Sequence, residues 1–301
     1  MRRFELPEAV RKRLRANGSE AWLASLPELV AGLEREWDIS VEGSAFFGGS
    51  EALVSPTRMA DGTPAILKVL IPREDEVAAH EITAMRLANG EGCARMYRDD
   101  PHRGAMLLER LGKPLAESGL PPAERLDVLC GAAMRLWRPA AGAGLPTGAE
   151  KGRWLVSYIH ETWEELGRPC SERAITHATS AVERRIAAHD DERSVLVHGD
   201  IHEWNALESP DGYKLIDPDG LLAEPEYDIG VIAREESAEF IRDSPEGLSG
   251  RLAAFTRLDA GAIQDWAAGE RLSTALVCTR AGFQPTGRNL LAAAEAAAQV
   301  N

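Results

Sequence analysis

The hydrophobic period of this chain changes twice, and those changes leave few architectures open. Residues 4–38 read as helical: Leu23, Leu26, Leu29, Val30, Leu33 and Trp37 recur at helical spacing, and Ser25 and Pro27 are placed to start a helix. From 39 to about 70 the period becomes that of strands. Ile39-Ser40-Val41-Glu42-Gly43 alternates, Ala52–Thr57 follows the turn Gly48-Gly49-Ser50, and Pro64–Leu70 follows the hairpin signal Asp61-Gly62. A helix over about 75–89 closes at Gly90, and a second hairpin joins Met96-Tyr97 to Ala105–Leu108 through Asp99-Asp100-Pro101. After Gly112-Lys113-Pro114 the pattern turns helical. Pro121-Pro122 opens one helix, a Pro- and Gly-rich loop over 139–150 precedes a longer one, a third covers 171–189, and Leu290–Ala298 forms a terminal one. Strand-like pieces return only at 194–197 and 213–217. The expected chain is α+β: a small antiparallel sheet with one helix, a connector near 109–113, and a larger helical part, divided as 1–110 and 111–301.

The densest chemistry lies in Val195-Leu196-Val197-His198-Gly199-Asp200-Ile201-His202-Glu203-Trp204-Asn205. An apolar strand ends at His198, a turn that Gly199 permits presents Asp200, and Asn205 stands five residues on. A second apolar strand then ends in Asp217, before Pro218-Asp219-Gly220. Phosphoryl transfer requires such groups. One carboxylate orients or deprotonates the attacking hydroxyl, while an amide oxygen and a second carboxylate hold divalent cations on nucleotide phosphates. H-x-D-x-x-x-x-N with a strand-terminal Asp downstream supplies them in kinase order.

His198–Asn205 with Ile216-Asp217-Pro218-Asp219 resembles the catalytic segment of the aminoglycoside phosphotransferases, antibiotic kinases with a two-lobed, protein-kinase-like fold. Phe46-Phe47-Gly48-Gly49-Ser50, Leu107–Leu111 and Glu224-Pro225-Glu226-Tyr227-Asp228 resemble, more narrowly, the streptomycin 6-kinase and hydroxyurea phosphotransferase branch. The likeness spans roughly residues 40 to 290. It implies ATP and Mg2+, with Asp200 as the catalytic base and Asn205 and Asp217 as magnesium ligands. Lys68 matches the lysine on the α- and β-phosphates and Glu81 its ion-pair partner. Glu109 and Leu111 fall in the connector whose main chain meets adenine, and Ser50 in the turn above the phosphates. The implied reaction carries the γ-phosphoryl group to a hydroxyl of a small cationic antibiotic, streptomycin first. The alternatives are another small hydroxyl compound, such as hydroxyurea or a metabolite, and a silent ATP-binding module.

The departures also inform. No G-x-G-x-x-G is present, Gly199 stands for the arginine of H-R-D, Pro218 for the DFG phenylalanine, and no A-P-E follows. These predict a constitutively competent small-molecule kinase. Asp200 and Asn205 are also ordinary turn residues, but that reading leaves Asp217, Lys68 and Glu81 unexplained. Lys68 sits among Ala65-Ile66-Leu67 and Val69-Leu70, where an unpaired charge is costly. His198 reads as a structural brace. His202 beside Asp200 suggests a mononuclear metal, yet no third His or Cys stands at ligand spacing. Asp219 reads equally as a contact to a second metal or as a turn cap.

Composition narrows the classes further. Against 34 Lys and Arg stand 48 Asp and Glu, a net charge of −14, which suits a cationic substrate and disfavours nucleic acid. Four scattered cysteines make neither a zinc ribbon nor a disulfide framework. Gly142–Gly148 reads as a loop that opens no helix, and no P-loop occurs. Glu161, Glu164, Glu165, Glu235, Glu236 and Glu239 read as solvated helix faces before they read as a grip on a cation. Trp163 and Trp204 read as packing, although an aromatic face attracts a guanidinium. Met1–Pro7 leads into Arg11-Lys12-Arg13 without an apolar region, and no stretch of about 18 apolar residues occurs. The expectation is a cytoplasmic monomer or weak dimer with neither membrane nor nucleic acid as partner.

Overall fold

The structure, a computed structural model, describes residues 20–42, 52–72, 77–243 and 247–300. Ser50 and its turn, with residues 1–19, lie outside the described residues. Helix α1 (Glu20–Trp37) buries Leu26, Val30 and Leu33, a face set by helical spacing. Ser25 and Pro27 do not start it, contrary to the sequence expectation. Both lie inside it, and Ser25 Oγ donates to Trp22 O at 2.9 Å. An internal proline costs about 3 kcal/mol. Burial of three large side chains at roughly 1.5–3 kcal/mol each outweighs that.

Strands β1 (Ile39–Val41), β2 (Ala52–Met59) and β3 (Pro64–Leu70) are followed by helix α2 (Val77–Ala88) and strands β4 (Met96–Asp100) and β5 (Ala105–Glu109). They form an antiparallel sheet in the order β1-β2-β3-β5-β4. The two-residue strand period sorts β3: Ala65, Leu67 and Val69 pack with Leu26 and Leu33 of α1. Ile66 and Leu70 pack on the other side with Ile82 and Met85 of α2. Lys68 therefore shares the face that looks to α2 and to the rest of the chain.

The larger part holds α3 (Pro122–Leu136), α4 (Gly148–Glu165), α5 (Glu172–Ala187), β6 (Val195–Val197), β7 (Ala206–Ser209), β8 (Gly212–Leu215) and β9 (Leu221–Ala223). It continues through α6 (Glu226–Ala233), α7 (Ala238–Asp243), α8 (Gly247–Thr256), α9 (Ala260–Ala281) and α10 (Thr286–Val300). Three expectations are corrected here. Gly142–Gly148 does open a helix, because Thr147 caps α4 in a reciprocal pair with Glu150, which also shortens the loop expected over 139–150. The strand expected over 213–217 ends at Leu215, and Asp217 takes a left-handed φ of 59°. Two further short strands exist: β7 pairs with β8, and β9 with β6. Three or four residues are too few for a period to show.

The β7–β8 hairpin joins the two parts. Ala94 N donates to Leu215 O and Leu215 N to Gly92 O, both at 2.8 Å, while the connector is held by Gly112 N to Glu208 O at 2.8 Å and Glu208 N to Lys113 O at 2.9 Å. Behind it α6 is wholly buried, with Tyr227 edge-on to Trp266 of α9 at 4.8 Å between ring centroids. Among the described residues no helix is long and apolar enough to cross a membrane.

Candidate active site

Lys68 is 5% exposed on β3, and Glu81, one turn into α2, is 7% exposed. Lys68 Nζ donates to Glu81 Oε1 at 2.5 Å and to Asp217 Oδ1 at 2.9 Å. Burial opposes the ammonium charge, but the carboxylates of Asp217 and Glu81 outweigh it and hold Lys68 above the ordinary lysine value. The pair that sequence placed across a strand and a helix thus reaches a second carboxylate, 149 residues from Lys68.

The loop after β6 is built around His198 and Asp228. His198 is fully buried. Its Nδ1 accepts from Asp200 N at 3.2 Å, so the other ring nitrogen carries the proton and Nε2 donates to Ile216 O at 2.9 Å. One imidazole therefore fixes the backbone beneath both Asp200 and Asp217, which is the bracing role expected of it. Asp228, buried in the first turn of α6, accepts from His198 N at 3.0 Å, Gly199 N at 2.9 Å and Trp137 Nε1 at 2.9 Å. Burial pushes its carboxyl upward despite these donors. Gly199 has φ +92°, and a Cβ there would lie 2.9 Å from Asp219 Cβ.

Asp200 Oδ1 accepts from Arg234 Nη2 at 2.9 Å, and Oδ2 lies 3.4 Å from His202 Nε2. Burial raises its pKa, but the hydrogen bond from His202 and the Arg234 charge outweigh this and hold the carboxyl far below the usual range. Asn205 Nδ2 donates to Asp200 O at 3.1 Å, and Asn205 O accepts from Ile216 N at 2.9 Å. Asp200, Asn205 and Asp217 are thereby tied into one unit. The Asp217 side chain is 44% exposed, so the carboxylate stays partly open to solvent although Lys68 holds it.

The amide oxygen of Asn205 and the half-exposed carboxylate of Asp217 are hard donors of the kind Mg2+ takes. That ion binds through one or two carboxylates together with substrate phosphates. Among the described residues no group of three His, Cys, Asp or Glu side chains forms a metal cage. His202 serves Asp200 instead. Asp219 faces Lys151 Nζ at 3.5 Å.

Glu109 differs from expectation in what it spends. Its N–H donates to Arg95 O at 2.7 Å, and its side chain accepts from Lys214 Nζ at 2.7 Å and Arg95 N at 2.9 Å. The side chain thus ties β5 to β8. Leu111 packs against the main core. Within the acidic sets Glu164 pairs with Arg168, Glu165 with Arg280, and buried Glu236 with Arg271, whereas Glu161 and Glu235 are exposed. Trp163 is buried beneath Arg168, whereas Trp204 is 61% exposed in the loop itself.

Gly220 closes the site from the side of α2. Its φ is +72°, and a Cβ would lie 2.9 Å from both His80 O and Ala84 Cβ. Gly220→Val is expected to cost about 1–2 kcal/mol for the backbone alone and to push α2 from the loop, loosening Glu81 from Lys68. Urea denaturation and nucleotide titration measure both effects. Parent-like behaviour would mean that α2 does not rest on this turn.

The chain is similar to known proteins both in fold and in sequence. Choline kinase LicA from Streptococcus pneumoniae superposes at a TM-score of 0.62 with 17% identity, over 92% of this chain and 99% of that one. Aminoglycoside phosphotransferase APH(4)-Ia, in a complex with ADP and hygromycin B, superposes at 0.60 with 12% identity, over 90% and 98%. The fold is that of the protein-kinase-like small-molecule kinases: a small antiparallel sheet lobe and a larger helical lobe. Streptomycin 6-kinase of Streptomyces glaucescens is 30% identical over 282 residues, 90% of each chain. Hydroxyurea phosphotransferase of Kitasatospora aureofaciens is 33% identical over 232 residues, 75% of this chain and 66% of that one. Residues 36–275 match the family described as aminoglycoside/hydroxyurea antibiotic resistance kinase, and the chain belongs to that family. It is a phosphotransferase.

Proposed function

We propose that this protein transfers the γ-phosphoryl group of ATP to a hydroxyl of streptomycin, with Mg2+, and so confers resistance. The observation that carries the reading is the 2.9 Å contact from Lys68 to Asp217, which brings the buried cation of the sheet to the loop holding Asp200 and Asn205. Residues 1–110 take the nucleotide, with adenine against the main chain at Glu109 and Leu111. Residues 111–301 supply the acceptor site. Lys68 steadies the nucleotide phosphates and is itself steadied by Glu81. Asn205 and Asp217 would hold the metal, which when bound neutralises charge on the phosphoryl oxygens. Asp200, fixed by Arg234 and His202, orients the acceptor hydroxyl and receives its proton as the bond to phosphorus forms. A carboxylate this weakly basic contributes mostly through orientation and charge.

The streptomycin 6-kinase relatives support the acceptor. Hydroxyurea is the second candidate. The net charge of −14 favours a cationic acceptor over a neutral one. Mass spectrometry of streptomycin, hydroxyurea and a panel of other hydroxyl compounds, each incubated with the protein and Mg-ATP, tests this. Streptomycin is expected to gain one phosphoryl group. A gain on hydroxyurea alone would overturn the acceptor assignment, and nucleotide binding without any transfer would overturn the enzymatic reading.

A further inference from the structure

We propose that Lys151 binds the transferred phosphoryl group of ATP from the acceptor side of the cleft. The inference rests on the kinase reading above and adds a residue to it. Lys151 stands in the first turn of α4, which Thr147 caps. Its side chain is only 18% exposed, and Nζ lies 3.5 Å from Asp219 Oδ2. Asp219 in turn lies against Gly199, where a Cβ would approach Asp219 Cβ to 2.9 Å. The ammonium is thus beside the turn that presents Asp200.

A column of rings holds it there. Nζ sits 4.7 Å above the Trp154 ring. Trp154 stacks on Tyr158 at 5.0 Å with 16° between planes. Arg280 covers Tyr158 at 5.3 Å. Burial opposes the charge of Lys151, but the carboxylates of Glu270, Asp219 and Asp200 outweigh it and keep the ammonium charged.

Among the described residues Lys68, Arg234 and Lys151 face Asp217, Asp200 and Asp219, and they differ in what they have left to give. Lys68 bonds Glu81 and Asp217 at 2.5 and 2.9 Å. Arg234 bonds Asp200 at 2.9 Å. Lys151 carries three N–H donors and has a long ion pair, at the limit of hydrogen-bond geometry. An enclosed ammonium with donors in hand, beside the group that positions the acceptor, matches the place where charge develops on the phosphoryl oxygens. Lys68 reaches the phosphates from the sheet, and Lys151 reaches them from the helical part.

The competing account makes Lys151 a counter-ion for Asp219 only. The discriminating measurement is calorimetric titration of Lys151→Met with Mg-ADP and with Mg-AMP-PNP, whose γ-phosphoryl group ADP lacks. The expected result is ADP affinity within about twofold of the parent and AMP-PNP affinity weaker by about tenfold or more. In turnover with streptomycin, kcat falls about 100-fold, and Lys151→Arg restores part of it. Equal weakening of both nucleotides, or no change in either, would overturn the proposal. Retained ADP binding reports an intact fold. If Lys151→Met does not fold, Lys151→Gln gives the same comparison. A parent protein that phosphorylates no acceptor would sink the function reading, yet the two titrations would still decide the role of Lys151.

Discussion

Asp200→Asn is expected to lower kcat by about a thousandfold while leaving ADP affinity within a few-fold of the parent. The amide keeps the shape of the side chain and loses the charge that draws Arg234 Nη2 to 2.9 Å. Asparagine is the cleaner substitution, because alanine would also strand a guanidinium that is 10% exposed. The pH dependence follows from the same geometry. The carboxyl of Asp200 is depressed in the fold, so it is charged at neutral pH and loses its charge, with the stabilisation it contributes, only as pH falls below the ordinary aspartate value of about 4. The kcat/KM profile of the parent is therefore expected to show no limb from Asp200 between about pH 5 and 8. Steady-state kinetics across that range, with calorimetry for ADP, check both statements. A variant retaining full turnover would remove Asp200 from the reaction.

Asp228→Ala is expected to damage folding before it damages chemistry. Three donors converge on this fully buried carboxylate: His198 N, Gly199 N and Trp137 Nε1. Alanine leaves all three without an acceptor, and an orphaned buried donor costs about 1–3 kcal/mol. The summed loss is roughly 3–9 kcal/mol, at least that of breaking a buried charged contact. Urea denaturation is expected to show that loss, and ADP titration a weakened affinity, because the loop over 198–205 is no longer held even when the chain is folded. Asp228→Asn keeps one acceptor oxygen but turns an amide N–H toward a second donor, so it falls between alanine and the parent. A midpoint equal to the parent's would show that the loop is held from elsewhere.

Most of the groups on which the proposed reaction rests were legible in the chain. The H-x-D-x-x-x-x-N spacing from His198 to Asn205 is local, and local spacing survives folding. The same holds for Lys68 on a strand whose alternate residues Ala65, Leu67 and Val69 face the other way. Glu81 thirteen residues later is a strand-then-helix relation with one natural geometry. The small sheet was equally legible, since Asp61-Gly62 and the two-residue period set its hairpin and register.

Other features had no local signature. Pro27 marks a helix start by local rules, yet it lies inside α1 because the buried face of that helix outweighs one lost hydrogen bond. The strands Ala206–Ser209 and Leu221–Ala223 exist through their partners and not through any pattern of their own. Asp228 was visible only as part of Glu224-Pro225-Glu226-Tyr227-Asp228, with nothing to show that it would hold a loop 29 and 30 residues away. Arg234 and Lys151 carried no signal at all. Arg234, just past α6, and Lys151, within α4, are ordinary cations until those helices pack beside the loop, Arg234 reaching Asp200 across 34 residues of chain. Residue order specifies which groups are available and how neighbours in the chain are spaced. Which distant charges meet depends on how buried helices settle against one another, an outcome shared among many weak contacts that no short stretch encodes.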